Sequence, residues 1–170
     1  PDGTSPLAPA NVEQIWWTVF KGLGSHDPVL RELETATMTF EVEISASCFA
    51  QLKRHRMMTL LAQDYGSVSG AIIPPSVEDA GLTDGFLDAV KRAQDAAREL
   101  HGDHPQLAPY LLTNAHKKRV LMHANARELY HFARLRCDEH AQWEIRRLGQ
   151  QVMEIAQREW PNVFMLACGK

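Results

Sequence analysis

The stretch from Thr37 to Ser45 limits the fold of this chain more than any other, because its apolar and polar residues alternate strictly. Side chains of a strand point in turn to opposite faces, so the alternation predicts a strand with one buried face. A short helix over Cys48–Lys53 is predicted soon after it, with Ser45 or Ser47 as the N-cap. A strand that leads directly into a helix, in a chain with further helices, is typical of an α+β fold.

Helical periodicity and helix-capping residues account for much of the remaining chain. Helices are predicted from Val12 to Phe20 after the cap Asn11, from Asp27-Pro28 to about Glu34, from Leu82 to His101, from Ala126 to Arg136 after the cap Asn125, and from His140 to about Glu159. A second strand is predicted over Lys117–His123, and Met57–Leu61 is expected to be extended. Gly66–Gly70 and Pro74-Pro75 are typical of a loop.

Composition is that of an ordinary globular protein, with 45% hydrophobic and 23% charged residues in a chain of 170. We expect one domain over residues 11–170, preceded by a linker-like lead over residues 1–10 that is rich in Pro, Gly and Ser. Because the lead begins at Pro1 rather than Met, we also expect the chain to be a piece of a longer polypeptide.

Charge and cysteine usage argue against several classes of protein. A formal net charge of −3 argues against a nucleic-acid-binding protein, which normally carries a basic excess. No apolar run approaches the roughly 20 residues that span a bilayer, and no signal peptide is visible, so no association with a membrane is expected. Cys48, Cys137 and Cys168 are far apart, which indicates reduced thiols of a cytoplasmic protein rather than disulfides or a zinc site.

Four consecutive basic side chains close the predicted short helix: Lys53, Arg54, His55 and Arg56. Cations this close repel one another unless an anion lies among them, so the cluster is a candidate anion site. A solvated basic turn is the alternative, since charge runs usually lie on exposed faces. The C-terminal end of a helix stabilises cations by about 0.3–1 kcal/mol in either case. The residues alone leave both interpretations open.

A second polar set lies along the predicted helix that Asn125 caps. At about 100° per residue, Asn125 and Arg136 fall within about 20° of each other on the helix surface. Leu129 and Phe132 lie between them, and His140 lies one turn further if the helix is unbroken. Such a stripe is either a core face with satisfied polar ends or the polar rim of a site for a ring-shaped ligand, where Asn supplies a donor and an acceptor and Arg a forked donor.

Arg127 and His131 form a further pair, four residues apart, on the adjacent face of that helix.

The sequence motifs of several other enzyme classes are missing. The chain lacks GxGxxG, a P-loop and GxSxG. His101 and His104 do not have the spacing of zinc ligands, so no metal site is expected. No residue can be assigned as a catalytic acid, base or nucleophile from these patterns.

Two segments taken together resemble the flavin-dependent thymidylate synthases. The first leads from Thr39–Ser45 to Gln51-Leu52-Lys53-Arg54-His55-Arg56, like that family's strand, helix and Arg-His-Arg. The second has the spacing of the family's Asn-x-Arg-x-Leu and Leu-Arg…Ala-Gln-x-Glu-Ile-Arg helices: Asn125-Ala126-Arg127-Glu128-Leu129, Leu135-Arg136, and His140-Ala141-Gln142-Trp143-Glu144-Ile145-Arg146. The resemblance extends over residues 11–166.

The resemblance implies an α+β fold with a small antiparallel sheet and long helices, assembled as a homotetramer with FAD bound between subunits. It also implies a reaction. The methylene group of methylenetetrahydrofolate passes to dUMP through reduced flavin, with NADPH as the reductant and without a cysteine nucleophile.

The same resemblance assigns binding residues by their position in the motifs. Seven are expected to bind the cofactor: Arg54, His55, Arg56, Asn125, His131, Arg136 and His140. Three are expected to contact the substrate: Gln51, Arg54 and Arg136. The Arg-His-Arg would face the flavin and its phosphates, His140 would line the same pocket as Asn125 and Arg136, and His131 stands where the family often has Asn.

The chain departs from the family pattern RHRxxSxNExSxRY at the end that binds nucleotide. Thr59 replaces the first Ser, Leu61-Ala62 the Asn-Glu pair, Asp64 the second Ser and Gly66 the Arg. Further on, Pro109 stands where the family has an arginine, and Arg98, eleven residues earlier, is not expected to replace it. Arginine–phosphate pairs are strong charge-assisted contacts, and a carboxylate repels a phosphate dianion. We therefore expect flavin affinity to be kept and nucleotide affinity to be lost.

Two hypotheses for function follow. The first is an enzyme similar to flavin-dependent thymidylate synthase, with a degenerate nucleotide site. The second is a non-catalytic lobe that completes the active site of a partner domain, in the same polypeptide or in the oligomer. The retained Arg-His-Arg favours a bound ligand in either case, while the linker-like lead favours the second hypothesis.

Overall fold

The computed structural model describes residues 9–24, 27–66 and 68–167. The helices in these ranges are α1 (Pro9–Phe20), α2 (Ala46–Leu52), α3 (Pro75–Asp79), α4 (Thr83–Asp103), α5 (Ala126–Arg136) and α6 (Trp143–Glu159). The strands there are β1 (Thr37–Ser45), β2 (Thr59–Ala62) and β3 (Lys117–Asn125). Short 3-10 helices lie at Arg31–Thr35 and Ala108–Leu111. The predicted α+β class is confirmed.

The strands form one small sheet in the order β1-β3-β2. β2 runs antiparallel to β3, with Thr59 beside His123. On the other side of β3, Thr39 is hydrogen-bonded to His123 and Glu43 to Arg119. Residue numbers rise along β1 as they fall along β3, so these two strands are also antiparallel. The predicted small antiparallel sheet is therefore confirmed.

Burial along the strands follows the predicted alternation. Phe40 and Ile44 of β1 are buried, while the polar residues between them face outward. Val120 and Met122, at alternate positions of the central strand β3, are fully buried. One face of the sheet thus contributes to a hydrophobic core.

The chain divides into two compact units. We call Thr39–His123 the sheet unit, and the described residues of Pro1–Met38 and Ala124–Lys170 the helical unit. The helical unit is assembled from two stretches that are distant in sequence. The single domain over residues 11–170 stays a prediction.

In the sheet unit, α2 is short and well anchored. Ser45 Oγ accepts a hydrogen bond from Cys48 N at 3.0 Å, which makes Ser45 the N-cap, one of the two predicted. Cys48 and Leu52 are fully buried on one face of the helix. The longer α4 buries Val90 and Ala97 and packs on the 3-10 helix Ala108–Leu111.

Aromatic rings form much of the core of the helical unit. Trp16 stacks on Phe20 with 5.8 Å between ring centroids, and Phe20 lies 6.0 Å from Tyr130. Tyr130 in turn stacks on Phe164 at 5.8 Å, and Phe164 on Trp160 at 6.3 Å. Rings at these separations contribute beyond the area they bury. The series joins α1, α5 and the segment after α6.

α5 and α6 approach each other closely at Gly149. A Cβ atom at this position would lie 3.2 Å from Cys137 Sγ and 3.3 Å from the backbone carbonyl carbon of Arg136. Close packing at the C-terminal end of α5 therefore favours glycine at this position.

Two predicted helix starts near the N-terminus are wrong. α1 begins at Pro9, so Asn11 lies inside the helix instead of capping it, and the predicted linker-like lead over residues 1–10 overlaps the helix. Proline suits the first turn of a helix, where its missing N–H is not needed. Residues 1–8 of that lead lie outside the described ranges. Asp27-Pro28 does not open a helix, because the Asp27 carboxylate accepts from Gly24 N at 2.8 Å and the 3-10 helix begins only at Arg31.

Two further predictions are corrected later in the chain. The predicted loop around Pro74-Pro75 contains α3, which has proline at its first position. The C-terminal helix begins at Trp143 rather than His140, since Gln142 Oε1 accepts from Ile145 N at 3.1 Å and caps α6. The helical stretch is therefore broken after Arg136, and His140 lies in the connection.

Candidate functional site

Residues Lys53–Arg56, which we call the basic turn, follow α2 directly. Backbone hydrogen bonds join Lys53 N to Phe49 O at 2.9 Å and His55 N to Leu52 O at 3.0 Å. These bonds continue the last turn of α2, so the buried face of that helix sets the position of the basic side chains. The prediction that a short helix carries these residues at its C-terminal end is confirmed.

Neighbouring side chains of the basic turn differ sharply in burial. His55 is 5% exposed, whereas Arg54 and Arg56 are exposed. Within the described part of the chain, neither arginine side chain has a hydrogen-bond or ion-pair partner. Two uncompensated guanidinium groups beside a buried ring can bind an anion with several oxygens. Gln51 is half-buried in the last turn of α2.

In the helical unit, Asn125 caps α5 as predicted. Its Oδ1 accepts from Glu128 N at 2.8 Å. Leu129 and Phe132, the apolar middle of the predicted stripe, are fully buried, as the core-face interpretation requires. The cap uses the oxygen of the Asn125 amide, which leaves its NH₂ group as a donor for a ligand.

The remaining candidate residues of the helical unit differ in their surroundings. Arg136 is half-buried at the end of α5, where Gly149 packs against its backbone. His131 is exposed on α5. His140 is outside the helices, with a side chain that is 86% exposed and Nε2 3.7 Å from Glu139 Oε1. His140 therefore does not extend the face of α5 as an unbroken helix would require.

A cleft of about 760 Å³ opens in the sheet unit. Its walls bring together Asp64, Gly66 and Pro109, three positions at which the chain departs from the family pattern. Arg98 lines the same cleft, because α4 packs on the 3-10 helix that contains Pro109. Motif spacing gives no reason to expect Arg98 here, since α4 lies between Gly66 and Pro109 in the chain and lines the cleft only through tertiary packing. Among the described residues, Gln51 is not part of the lining.

Tyr65, another lining residue, rests on a buried lysine. Lys118 is 9% exposed, and its Nζ lies 4.8 Å from the centroid of the Tyr65 ring and 5.5 Å from that of Phe49. The same Nζ donates to Gln63 O at 3.0 Å. Burial lowers the pKa of Lys118, and the Asp64 carboxylate opposes this shift by favouring the charged ammonium.

Sequence reasoning did not single out Lys118. A signal for it exists, because Lys118 is in phase with the buried Val120 and Met122 along β3. A lysine on the apolar face of a strand is expected to have a specific partner.

The described ranges contain neither a metal-binding cluster nor a membrane-spanning helix. No cluster of three or more His, Cys, Asp or Glu side chains there is arranged to hold a metal ion. No helix in those ranges is long and apolar enough to cross a bilayer. Among the described residues, neither Cys48 nor Cys137 forms a disulfide, and Cys168 lies outside those ranges.

Comparison with known proteins defines the class to which this fold and motif set belong. The family model described as "Thymidylate synthase complementing protein" matches residues 21–162. The chain is 35% identical over 142 residues to the flavin-dependent thymidylate synthase of Geobacter sulfurreducens, an alignment that covers 78% of this chain and 61% of the relative. It is 33% identical over 174 residues to the enzyme of that name from Pyrobaculum aerophilum, covering 98% of this chain and 63% of the relative. The chain belongs to the flavin-dependent thymidylate synthase family.

The alignments cover only part of the length of each relative. A third relative, the flavin-dependent thymidylate synthase of Haloarcula marismortui, is 32% identical, and the alignment covers 77% of this chain and 67% of the relative. The chain thus spans about three fifths to two thirds of the length of the curated relatives it matches.

Proposed function

We propose that this chain binds FAD and takes part in the methylation of dUMP to dTMP, with methylenetetrahydrofolate as the carbon donor and NADPH as the reductant. Family membership supports the reaction class. The observation that carries the proposal is the basic turn, where exposed Arg54 and Arg56 flank the buried His55. In this proposal the chain retains the flavin side of the site and has a degenerate nucleotide side.

The basic turn fits the chemistry of the cofactor. The diphosphate of FAD presents several anionic oxygens, and Arg54 and Arg56 offer forked donors that match them. The C-terminal end of α2 carries a partial negative charge, so the two guanidinium groups have to outweigh it. When bound, FAD supplies the reducing equivalents that convert the transferred carbon into a methyl group. His55, held inside the fold, would keep the two arginines at a fixed spacing.

In this proposal the family motifs also assign residues of the helical unit to the ligands. The free NH₂ group of Asn125 would donate to an oxygen of the flavin or the nucleotide, and the Arg136 guanidinium would do the same. His131 and His140, both exposed, would offer imidazole edges to the cofactor. Gln51 is assigned to the substrate together with Arg54 and Arg136.

Titration of the purified chain with FAD, followed by quenching of flavin fluorescence, tests the cofactor assignment. We expect saturable binding that Arg54→Ala and Arg56→Ala each weaken by about tenfold, the worth of one charge-assisted contact. Lys53→Ala is the matched control, since it removes a neighbouring exposed cation that is not assigned to the cofactor. A chain that does not bind FAD, or an equal loss in all three variants, contradicts the proposal.

A second candidate function is a non-catalytic lobe, and the cleft favours it. Asp64, Gly66 and Pro109 stand where the family's pattern has Ser and Arg residues, so a partner would have to supply the phosphate anchors. That partner would be another subunit of a homotetramer or a further domain of the same polypeptide. Tritium release from dUMP labelled at C5, measured with FAD, NADPH and the folate, separates the candidates. We expect no turnover by this chain alone if it is a lobe, and measurable release if it is a complete enzyme.

A further inference from the structure

A histidine of β3 is held in a fixed orientation on the face of the sheet that points away from the core. His123 Nδ1 and Thr39 Oγ1 of β1 are 2.8 Å apart and hydrogen-bonded. His123 is half-buried, while Met122 beside it points to the opposite face and is fully buried. Within the described part of the chain, the second ring nitrogen, Nε2, has no hydrogen-bond partner. The ring therefore keeps one polar atom for a ligand.

The pairing of the strands brings His123 close to the basic turn. Thr59 of β2 is the residue that pairs with His123. It follows Arg56 by three residues, and a hydrogen bond from Met58 N to His55 O at 3.1 Å holds the backbone between them. Cβ atoms of directly paired residues lie about 4.5–5.5 Å apart. A ligand that the basic turn holds by its phosphates can therefore extend to the His123 ring.

An exposed apolar pair lies beside His123 on the same face. Leu61 of β2 pairs with Leu121 of β3, and the two residues are 62% and 40% exposed. Two residues along a strand correspond to about 7 Å, so this pair lies about that far from Thr59 and His123. Leu61 stands where the family pattern has Asn, so the replacement makes a polar position apolar. An apolar surface with a polar atom at its edge suits a flat heterocycle.

The charges next to this surface are paired with one another. Arg119 lies 3.4 Å from Glu41 Oε1 and donates to Glu43 Oε1 at 2.7 Å. Lys117 Nζ is 4.0 Å from the other carboxylate oxygen of Glu43. The two carboxylates and the two cations offset one another, so the apolar pair is not next to a surplus charge. An uncharged ring such as oxidised isoalloxazine fits there, while the diphosphate of FAD matches the arginines of the basic turn.

We propose that His123 is a further flavin-binding residue, whose Nε2 bonds to a polar edge of an isoalloxazine ring that lies on Leu61 and Leu121. The inference rests on the proposed function for the choice of FAD. Thr39 is a positioning residue, because it holds the Nδ1 side of the imidazole and acts on the cofactor only through that ring. The family motifs do not single out His123, and only the pairing of three strands brings it into line with the basic turn.

Titration with riboflavin and with FAD, followed by quenching of flavin fluorescence, tests the proposal. Riboflavin carries the ring without phosphates, so it reports on the ring surface separately from the basic turn. We expect His123→Ala and Leu61→Ser each to weaken the binding of both ligands by about tenfold, whereas Arg54→Ala weakens FAD alone. His104→Ala, which removes an exposed histidine elsewhere in the sheet unit, is the matched control and leaves both affinities unchanged.

Thr39→Val tests the positioning role, since it removes the hydroxyl and keeps the shape of the side chain. We expect it to weaken riboflavin binding by about threefold in the unaltered chain and not at all in the His123→Ala background. The reason is that the hydroxyl acts only through the imidazole. Losses that simply add would show that Thr39 acts independently, which overturns its assigned role.

The outcomes separate this inference from the proposed function. A chain that binds FAD but not riboflavin, or one in which His123→Ala changes neither affinity while Arg54→Ala weakens FAD, refutes this inference alone. Losses in His123→Ala without any loss in Arg54→Ala refute the arginine assignment alone, and a chain that binds neither flavin contradicts both. If Leu61→Ser alters the sedimentation of the chain but not its flavin affinity, a second copy covers this surface and the inference fails.

Discussion

Three adjacent residues, Arg54, His55 and Arg56, have different roles although all three are basic. His55 is part of the packed interior, and the two arginines project from it. Burial of a polar ring is costly unless it is compensated, whereas an exposed guanidinium contributes little to folding. The alternation of exposure along the basic turn therefore separates residues that build the turn from residues that are free to bind.

Stability measurements on single variants test this separation. We expect Arg54→Ala and Arg56→Ala to change the free energy of unfolding by less than about 0.5 kcal/mol, since both side chains are exposed. His55→Ala should cost about 1–3 kcal/mol, because it leaves a cavity and removes a buried polar group. Urea denaturation followed by circular dichroism gives the three values. A His55 variant as stable as the arginine variants would show that the ring is not needed for the turn.

Asn125 combines a structural role with an assigned binding role, and the two use different atoms of one amide. Asp is as good an N-cap as Asn, so Asn125→Asp should keep the hydrogen bond to Glu128 N and the stability of α5. It lacks the NH₂ donor and adds a negative charge, so FAD affinity should fall by about tenfold. Asn125→Ala should lose the affinity and also about 1 kcal/mol of stability. Unimpaired FAD binding by Asn125→Asp would limit this residue to capping.

At the scale of secondary-structure elements, the contact between α5 and α6 decides where Arg136 lies. Gly149 lets the two helices meet at the backbone of Arg136 and next to the Cys137 thiol. A Cβ at position 149 would lie 3.2–3.3 Å from these atoms, so its neighbours would have to shift by a few tenths of an ångström to admit it.

Paired glycine substitutions test this packing. Gly149→Ala should lower the free energy of unfolding by about 1 kcal/mol, because overpacking against backbone outweighs the gain in helix propensity. Gly85→Ala in α4 is the control, since a Cβ there meets nothing within 4 Å, and it should raise stability by about 0.5–1 kcal/mol. Chemical denaturation of both variants gives the comparison. If Gly149→Ala were stabilising as well, the helices would have room to separate.

The cleft also belongs to the scale of elements. Asp64, Gly66 and Pro109 depart from the family pattern at separate places in the sequence, and only packing with α4 brings them into one cleft. Their meeting in one cleft with Arg98 depends on contacts between elements far apart in the chain.

For the molecule as a whole, ion pairs in both units tie stability to pH. Arg127 lowers the pKa of Glu34 in the helical unit, and Arg119 lowers the pKa of Glu43 in the sheet unit, in each case mainly through a hydrogen bond to the carboxylate. In α4, a hydrogen bond from Lys91 is the main cause that lowers the pKa of Asp95.

A group with a lowered pKa in the folded state stabilises the fold above its unfolded pKa, and this contribution disappears as the pH falls through the folded pKa. The unfolded values are 4.5 for the two glutamates and 3.8 for Asp95, so stability should decline as the pH falls below about 4.5. The triple variant Glu34→Gln, Glu43→Gln, Asp95→Asn should show a shallower decline. Thermal unfolding from about pH 7 to about pH 3 measures both curves. Parallel curves would mean that these pairs do not contribute to acid stability.

Much of the fold followed from local patterns. The strand Thr37–Ser45 was predicted with the observed bounds, since strict alternation has no other simple explanation. The caps Ser45 and Asn125 were predicted from residue type and position. The predicted helix starts at Asp27-Pro28 and at His140 are wrong for the same reason. Each depends on which of several local hydrogen-bonding arrangements the chain adopts.

The sequence by itself determined the family, the α+β class and the position of the Arg-His-Arg at the end of a short helix, because these depend on neighbours in the chain. Tertiary structure alone decided that His55 is buried while Arg54 and Arg56 are not, and that Lys118 supports Tyr65. It also decided that Asp64 and Arg98 line one cleft. The physical reason is that burial and charge compensation depend on what packs against a residue, and in this chain those partners come from distant segments.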